Sequence, residues 1–264
     1  MAKEPTSNLG IVLSGGGTRG LAHVGVLRAL EEHGIRPDCV AGTSSGALVG
    51  ALYAAGYSAS EMVEFFERKN PFRLRKLAFN KPGIIDSNKV NSDFEETFPD
   101  NAFEALSRPL RIVATDILDG EPVVFDSGPL ISAILASCAV PMVFTPVEIN
   151  GCWYSDGALV NNFPVELLEG RCRTLIGVHV SPLKQLERSD LNSSLSIVQR
   201  GLEIGIFVKS AAKFDRCDIV LRPEGLTRFG AFDTKHFDEV EEIGYAEASA
   251  SMEAIETALA RHQS

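Results

Sequence analysis

Two glycine-framed turns near the start of the chain restrict it to folds in which strands feed directly into helices. Gly15-Gly16-Gly17-Thr18-Arg19-Gly20 follows the apolar run 9–13, and Gly42-Thr43-Ser44-Ser45-Gly46 follows the short run 38–41. Each lies between a predicted strand and a predicted helix. The second has the form G-x-S-x-G, in which a sharp strand-to-helix turn lifts one serine into the open while the glycines let neighbouring backbone pass without a Cβ clash. Ser44 is that serine. The first turn can offer a row of unhindered backbone N–H groups to an oxygen that becomes negative during acyl transfer. A nucleophile and its oxyanion hole are therefore expected within the first fifth of the chain.

The rest of the chain follows the same alternation. Periodicity predicts a strand at 9–14, a helix at 20–33, a strand at 38–42, a helix at 44–55 and another at 59–69. This βαβα order favours an α/β fold, a sheet with helices on its faces. Small residues crowd the helix behind Ser44 (Gly46, Ala47, Gly50, Ala51), as a helix lying close against a sheet requires. Residues 70–100 break the pattern with Pro71, Pro82, Gly83 and Pro99 and read as an insertion or cap. Beyond it come strands at 110–115 and 122–125, a helix at 128–138 and a strand at 144–149. Asn150-Gly151 reads as a hairpin turn into Cys152-Trp153-Tyr154. A strand at 174–180, a helix at 193–213, a strand at 218–221 and a helix at 234–261 complete the order. With 264 residues the chain can bury a substantial core, and one domain spanning 1–264 is expected.

Composition removes several classes of function. The net charge of −10 argues against a nucleic-acid partner, which needs a basic surface. No stretch approaches the roughly 20 uncharged apolar residues of a membrane span. The segment 1–8 has no hydrophobic run, so no secretory leader is expected and the cytoplasm is the default compartment. The five cysteines are odd in number and lack any C-x-x-C pair, which argues against a disulfide framework or a zinc site. They are expected to be reduced and mostly buried.

Several chemical readings compete. Gly15, Gly17 and Gly20 satisfy G-x-G-x-x-G, but the second strand ends in Gly42-Thr43-Ser44 where a dinucleotide site wants an acidic residue, and no Gly-Lys-Ser or Gly-Lys-Thr follows. A serine nucleophile needs a base. Among His23, His33, His179, His236 and His262, only His236 occupies a plausible downstream loop edge. Asp156, in Tyr154-Ser155-Asp156-Gly157-Ala158, is the better candidate, although an Asp-Gly pair alone is more often a plain turn.

Taken in order, Gly15 to Gly20, Gly42 to Gly46 and Asp156-Gly157-Ala158 resemble the three signatures of patatin-like phospholipases, G-G-G-x-R/K-G, G-x-S-x-G and D-G-A/G. The likeness is close over residues 9–168. It implies a three-layer α/β/α fold with a central, mostly parallel sheet, and a Ser-Asp dyad without a catalytic histidine. Ser44 would attack an ester carbonyl and Asp156 would take or orient its proton. Backbone N–H groups within Gly15, Gly16, Gly17 and Thr18 would hold the oxyanion. Arg19 would pair either with a lipid phosphate or with an interior carboxylate. No metal or organic cofactor is implied. The expected activity is hydrolysis of carboxylic esters in phospholipids, lysophospholipids or acylglycerols; the alternatives are a Ser-His-Asp esterase using His236 and a lipid-sensing protein with little turnover.

One local feature goes beyond that resemblance. From Arg68 to Lys81 there are six basic residues and no acidic ones, interleaved with Phe72, Leu74, Leu77 and Phe79. It reads either as a solvated cap or as a peripheral contact with a lipid surface.

Overall fold

The computed structural model describes residues 5–69 and 91–261. β1 (Ser7–Leu13) leads through a 3-10 turn at Gly17–Gly20 into α1 (Leu21–Glu32), and β2 (Cys39–Thr43) leads through Ser44 into α2 (Ser45–Ala55). α3 (Ala59–Lys69), α4 (Asn91–Thr97), β3 (Leu110–Asp116), β4 (Pro122–Phe125) and α5 (Leu130–Ser137) follow. Then come β5 (Val147–Ile149), β6 (Cys152–Asp156), α6 (Ala158–Asn161), β7 (Cys172–Val178) and α7 (Ser194–Ala211). β8 (Ile219–Leu221), α8 (Phe237–Ala250) and α9 (Met252–Ala260) end the order.

The eight strands form one sheet in the order β5-β6-β3-β2-β1-β7-β8, with β4 also pairing with β3. β3, β2, β1, β7 and β8 run parallel, whereas β3–β4, β3–β6 and β5–β6 are antiparallel. The sheet is thus mixed around a parallel centre, as the βαβα order requires. Alternation along β1 sorts its side chains between two cores: Leu9, Ile11 and Leu13 join the large one with α1, α2, α3 and α8, while Val12 joins a smaller one with Phe163, Val165 and Leu168. Helices therefore cover one face, and the segment 163–168 covers part of the other.

Two sequence expectations shift, and most of the insertion expected at 70–100 lies outside the described residues. The helix expected at 234–261 is two, because Ser251 leaves helical geometry (ψ 2°). α8 lies against α1, whereas Met252 and Ile255 of α9 are buried and α9 turns toward β7 and β8. Of the insertion expected at 70–100, the described portion sends Phe94 and Phe98 into the main core, Phe94 lying 5.8 Å from the Phe65 ring. The strand expected at 144–149 shortens to Val147–Ile149, just past Pro146, which has no N–H to give a ladder. The Asn150-Gly151 turn has φ of 53° and 83°, the doubly positive geometry of a tight hairpin. All five cysteines are free, and Cys152 is exposed rather than buried.

Candidate active site

Ser44 stands where β2 turns into α2, with φ 54° and ψ −123°, a conformation costly for a residue with a side chain. Its surroundings hold it there. A Cβ on Gly42 would meet the Gly46 carbonyl, and one on Gly46 would run into the Leu13 carbonyl, so both glycines of the elbow are required by close backbone approach. The Ser44 N–H donates to Ser137 Oγ (2.8 Å), which in turn donates to the Val113 carbonyl (2.6 Å). The Ser44 carbonyl accepts the first turn of α2 from Ala47 and Leu48. The side chain thus projects at the positive end of a buried helix, where a developing oxyanion is favoured.

Asp156 ends β6, and Gly157 lets the chain turn there because a Cβ would strike the Val113 carbonyl. Ser44 Oγ donates to Asp156 Oδ2 at 2.6 Å, and the Ala158 N–H donates to Oδ1 at 2.8 Å. Burial raises the Asp156 carboxyl from its usual 3.8 to about 6, with these two hydrogen bonds opposing the rise. A carboxylate that gains and loses its proton near neutrality is suited to take one from a hydroxyl and return it. Beside the pair, the Cys138 thiol is pushed up by burial and by the Asp156 charge, against a hydrogen bond with Ser44, and stays neutral.

The glycine loop narrows the choice of oxyanion donors. The Gly15 N–H is occupied by Asn162 Oδ1 (3.1 Å), and the Thr18 N–H by the Ala231 carbonyl (2.8 Å). Gly16 and Gly17 keep amides with no acceptor among the described residues. Gly17 has φ 63°, and a Cβ there would collide with the Ala231 carbonyl. Arg19 Nε donates to the Gly16 carbonyl (3.2 Å), while Glu203 acts on the guanidinium through its charge without a direct ion pair. It braces the loop. Among the described residues, no three His, Cys, Asp or Glu side chains gather to hold a metal ion.

The family pattern of patatin-like phospholipases matches residues 11–169, which carry all of these groups except Glu203 and Ala231. The chain belongs to the patatin-like phospholipase family. This patatin-like chain is 35% identical over 162 residues to an NTE family protein of Mycobacterium tuberculosis, covering 61% of itself and 45% of that protein. It is 31% identical over 198 residues to lysophospholipase NTE1 of Saccharomyces cerevisiae, covering 71% of itself and 12% of the yeast protein. The chain therefore spans less than half the length of these curated relatives. Its fold is similar to that of VipD from Legionella pneumophila, with a TM-score of 0.54 and 13% identity over 96% of this chain and 67% of VipD.

The described histidines of the patatin-like chain stand away from the Ser44–Asp156 bond. His23 is buried in α1, donates from Nε2 to the Ser14 carbonyl (2.8 Å), and burial lowers its pKa to about 4. His179 is packed among Phe163, Phe207 and Phe214, and burial lowers it to about 3. His236 caps α8 and pairs through Nδ1 with Asp233 (2.9 Å). No described histidine hydrogen-bonds Ser44 or Asp156; His262 lies outside the described residues, as do residues 70–81 of the basic segment. Sequence reasoning gave no role to Ser137, Asn162 or Ala231. The first two left a local signal, since Ala136-Ser137 and Asn161-Asn162 belong to the stretch that resembles the family, whereas Ala231 left none.

Proposed function

We propose that this chain is a lipid acyl hydrolase in which Ser44 and Asp156 form a catalytic dyad. The observation that carries the reading is the 2.6 Å hydrogen bond from Ser44 Oγ to a buried Asp156 carboxylate. Ser44 Oγ attacks the ester carbonyl carbon as its proton passes to Asp156 Oδ2, and the carbonyl oxygen becomes an anion between the Gly16 and Gly17 amides. Collapse of this intermediate expels the alcohol, which takes the proton from Asp156. Water, deprotonated by the same carboxylate, then attacks the acyl-serine, and collapse releases the fatty acid as Asp156 returns the proton to Ser44 Oγ. The substrate class is a carboxylic ester of a phospholipid, lysophospholipid or acylglycerol. The family and the name lysophospholipase NTE1 borne by the yeast relative support that class.

A second arrangement has one observation in its favour, the Asp233–His236 pair on the segment that braces the glycine loop. Fluorophosphonate labelling and p-nitrophenyl ester hydrolysis separate the two. Ser44→Ala should lose labelling and reduce turnover by about 10⁴-fold, and Asp156→Asn should reduce turnover by about 10²- to 10⁴-fold. His236→Ala should retain both activities. Full turnover in Asp156→Asn with loss in His236→Ala would overturn the dyad in favour of a Ser-His-Asp esterase.

A further inference from the structure

α7 is built inside out. Of its 18 residues only Ser210 is buried, and Leu195, Ile197, Val198, Leu202, Ile204 and Val208 are exposed, from 42% for Ile204 to 58% for Ile197 and Val208. At ~100° per residue these six fall on one half of the helix circumference, interrupted only by Ser194, Gly201, Gly205 and Lys209. The opposite half carries Ser196, Arg200, Ile206, Phe207, Ser210 and Ala211, the residues of α7 that the protein covers wholly or in part, together with the exposed polar Gln199 and Glu203. A surface helix of a globular protein normally shows the reverse orientation. An exposed apolar face of this extent marks an interaction surface.

We infer that α7 is an interfacial helix whose outward face seats in the surface of a lipid aggregate. The inference rests on the proposed lipid acyl hydrolase reading, and three observations favour lipid as the occupant. First, the apolar arc spans about half the helix, wider than the two-position seam that packs against a single partner helix; a fluid medium can wrap such an arc. Second, the helix is joined to the candidate site. Ser210 Oγ is reached by Asn162 Nδ2 (3.4 Å), Lys209 Nζ donates to the Leu159 carbonyl (3.2 Å), and Lys213 Nζ, just beyond the helix, donates to Asn161 Oδ1 (2.7 Å). These contacts all fall on the chain immediately after Asp156. Adsorption through α7 thus holds the dyad at the lipid surface. Third, no described helix is long and apolar enough to cross a membrane, α7 included, so its apolar face fits a helix lying on the lipid rather than through it. With a net charge of −10 the attachment is apolar rather than electrostatic, and it needs no anionic lipid.

The test uses flotation with phosphatidylcholine vesicles at low and high salt, comparing the full chain with the triple variant Val198→Gln, Leu202→Gln, Ile204→Gln and with Leu202→Arg alone. The wild type should float equally well at both salt concentrations. The triple variant should float at least about tenfold less, and the single variant less in the same direction. Hydrolysis of vesicle phospholipid should fall in step, while p-nitrophenyl butyrate hydrolysis stays within about twofold, which also shows that the variants remain folded. Equal flotation of wild type and variants overturns the inference, as does failure of a wild type that cleaves p-nitrophenyl butyrate to float at all. A wild-type dimer that the triple substitution converts to monomer, with flotation unchanged, would assign the face to a second copy and likewise overturn it. A wild type that floats through α7 but cleaves no ester would overturn the proposed activity and leave the docking surface standing.

Discussion

α2 and α7 are both rich in apolar residues, yet α2 buries ten of its eleven residues while α7 buries one of eighteen. The difference lies in residue size and in where polar groups find partners. α2 brings Gly46 and Gly50 against β1, β2 and β3, so its backbone approaches the sheet closely enough to exclude water. α7 turns Ser210 and Arg200 toward the protein and leaves its large side chains outside. An apolar helix is thus sealed only when its contact face is small enough to dock, and apolar content alone does not say which face that is.

The same substitution in the two helices puts this contrast to its hardest test. Gly46→Ala places a methyl group on the carbonyls of Leu13 and Ser14. It should destabilise the fold by about 3 kcal/mol or more and abolish fluorophosphonate labelling; a variant with unchanged thermal unfolding would break the account of why α2 is buried.

The carboxylate at the head of α2 gives the next largest effect. Because the Asp156 carboxyl is raised from 3.8 to about 6 in the fold, its favourable contribution to stability is complete below the unfolded value and is lost as pH rises through about 6. Asp156→Asn should therefore be more stable than the wild type by up to about 3 kcal/mol near pH 8. The gap should close as pH falls toward about 4, while wild-type turnover rises through about pH 6. Urea unfolding across this range checks the sign; a wild type more stable than the variant near pH 8 would refute it. The smallest effect belongs to α7. Nothing lies within 4 Å of a Cβ built on Gly201, so Gly201→Ala should stabilise the protein by about 1 kcal/mol, read as a rise of a few degrees in Tm.

The legible parts of the molecule were those written locally. The glycines at 15–17, 42 and 46, the spacing of Leu21, Val24, Leu27 and Leu30, and Asp156-Gly157 announce strands, helices and turns through neighbours a few residues away. The supports of the candidate site are not local. Ser137 reaches the Ser44 amide across 93 positions, Asn162 reaches Gly15 across 147, and Ala231 reaches Thr18 from beyond the family match. For that reason four candidate oxyanion residues read from the glycine run become two free amides in the fold. The break at Ser251 was hidden for a similar reason: periodicity runs on through it, and the burial of Met252 and Ile255 against other elements redirects the chain. The orientation of α7 was equally hidden, since periodicity marks an apolar arc without saying what it faces.

The bond between the Thr18 amide and the Ala231 carbonyl carries a consequence for order in time. The family match ends at residue 169, so a chain still emerging from the ribosome can already hold its serine, its aspartate and its glycine run. It does not yet hold the segment that fixes Thr18, nor α8, whose Gly244 nests on the Ala22 carbonyl of α1. A chain that has emerged only as far as residue 169 therefore carries the candidate reacting groups before the partners that fix Thr18 and cover α1.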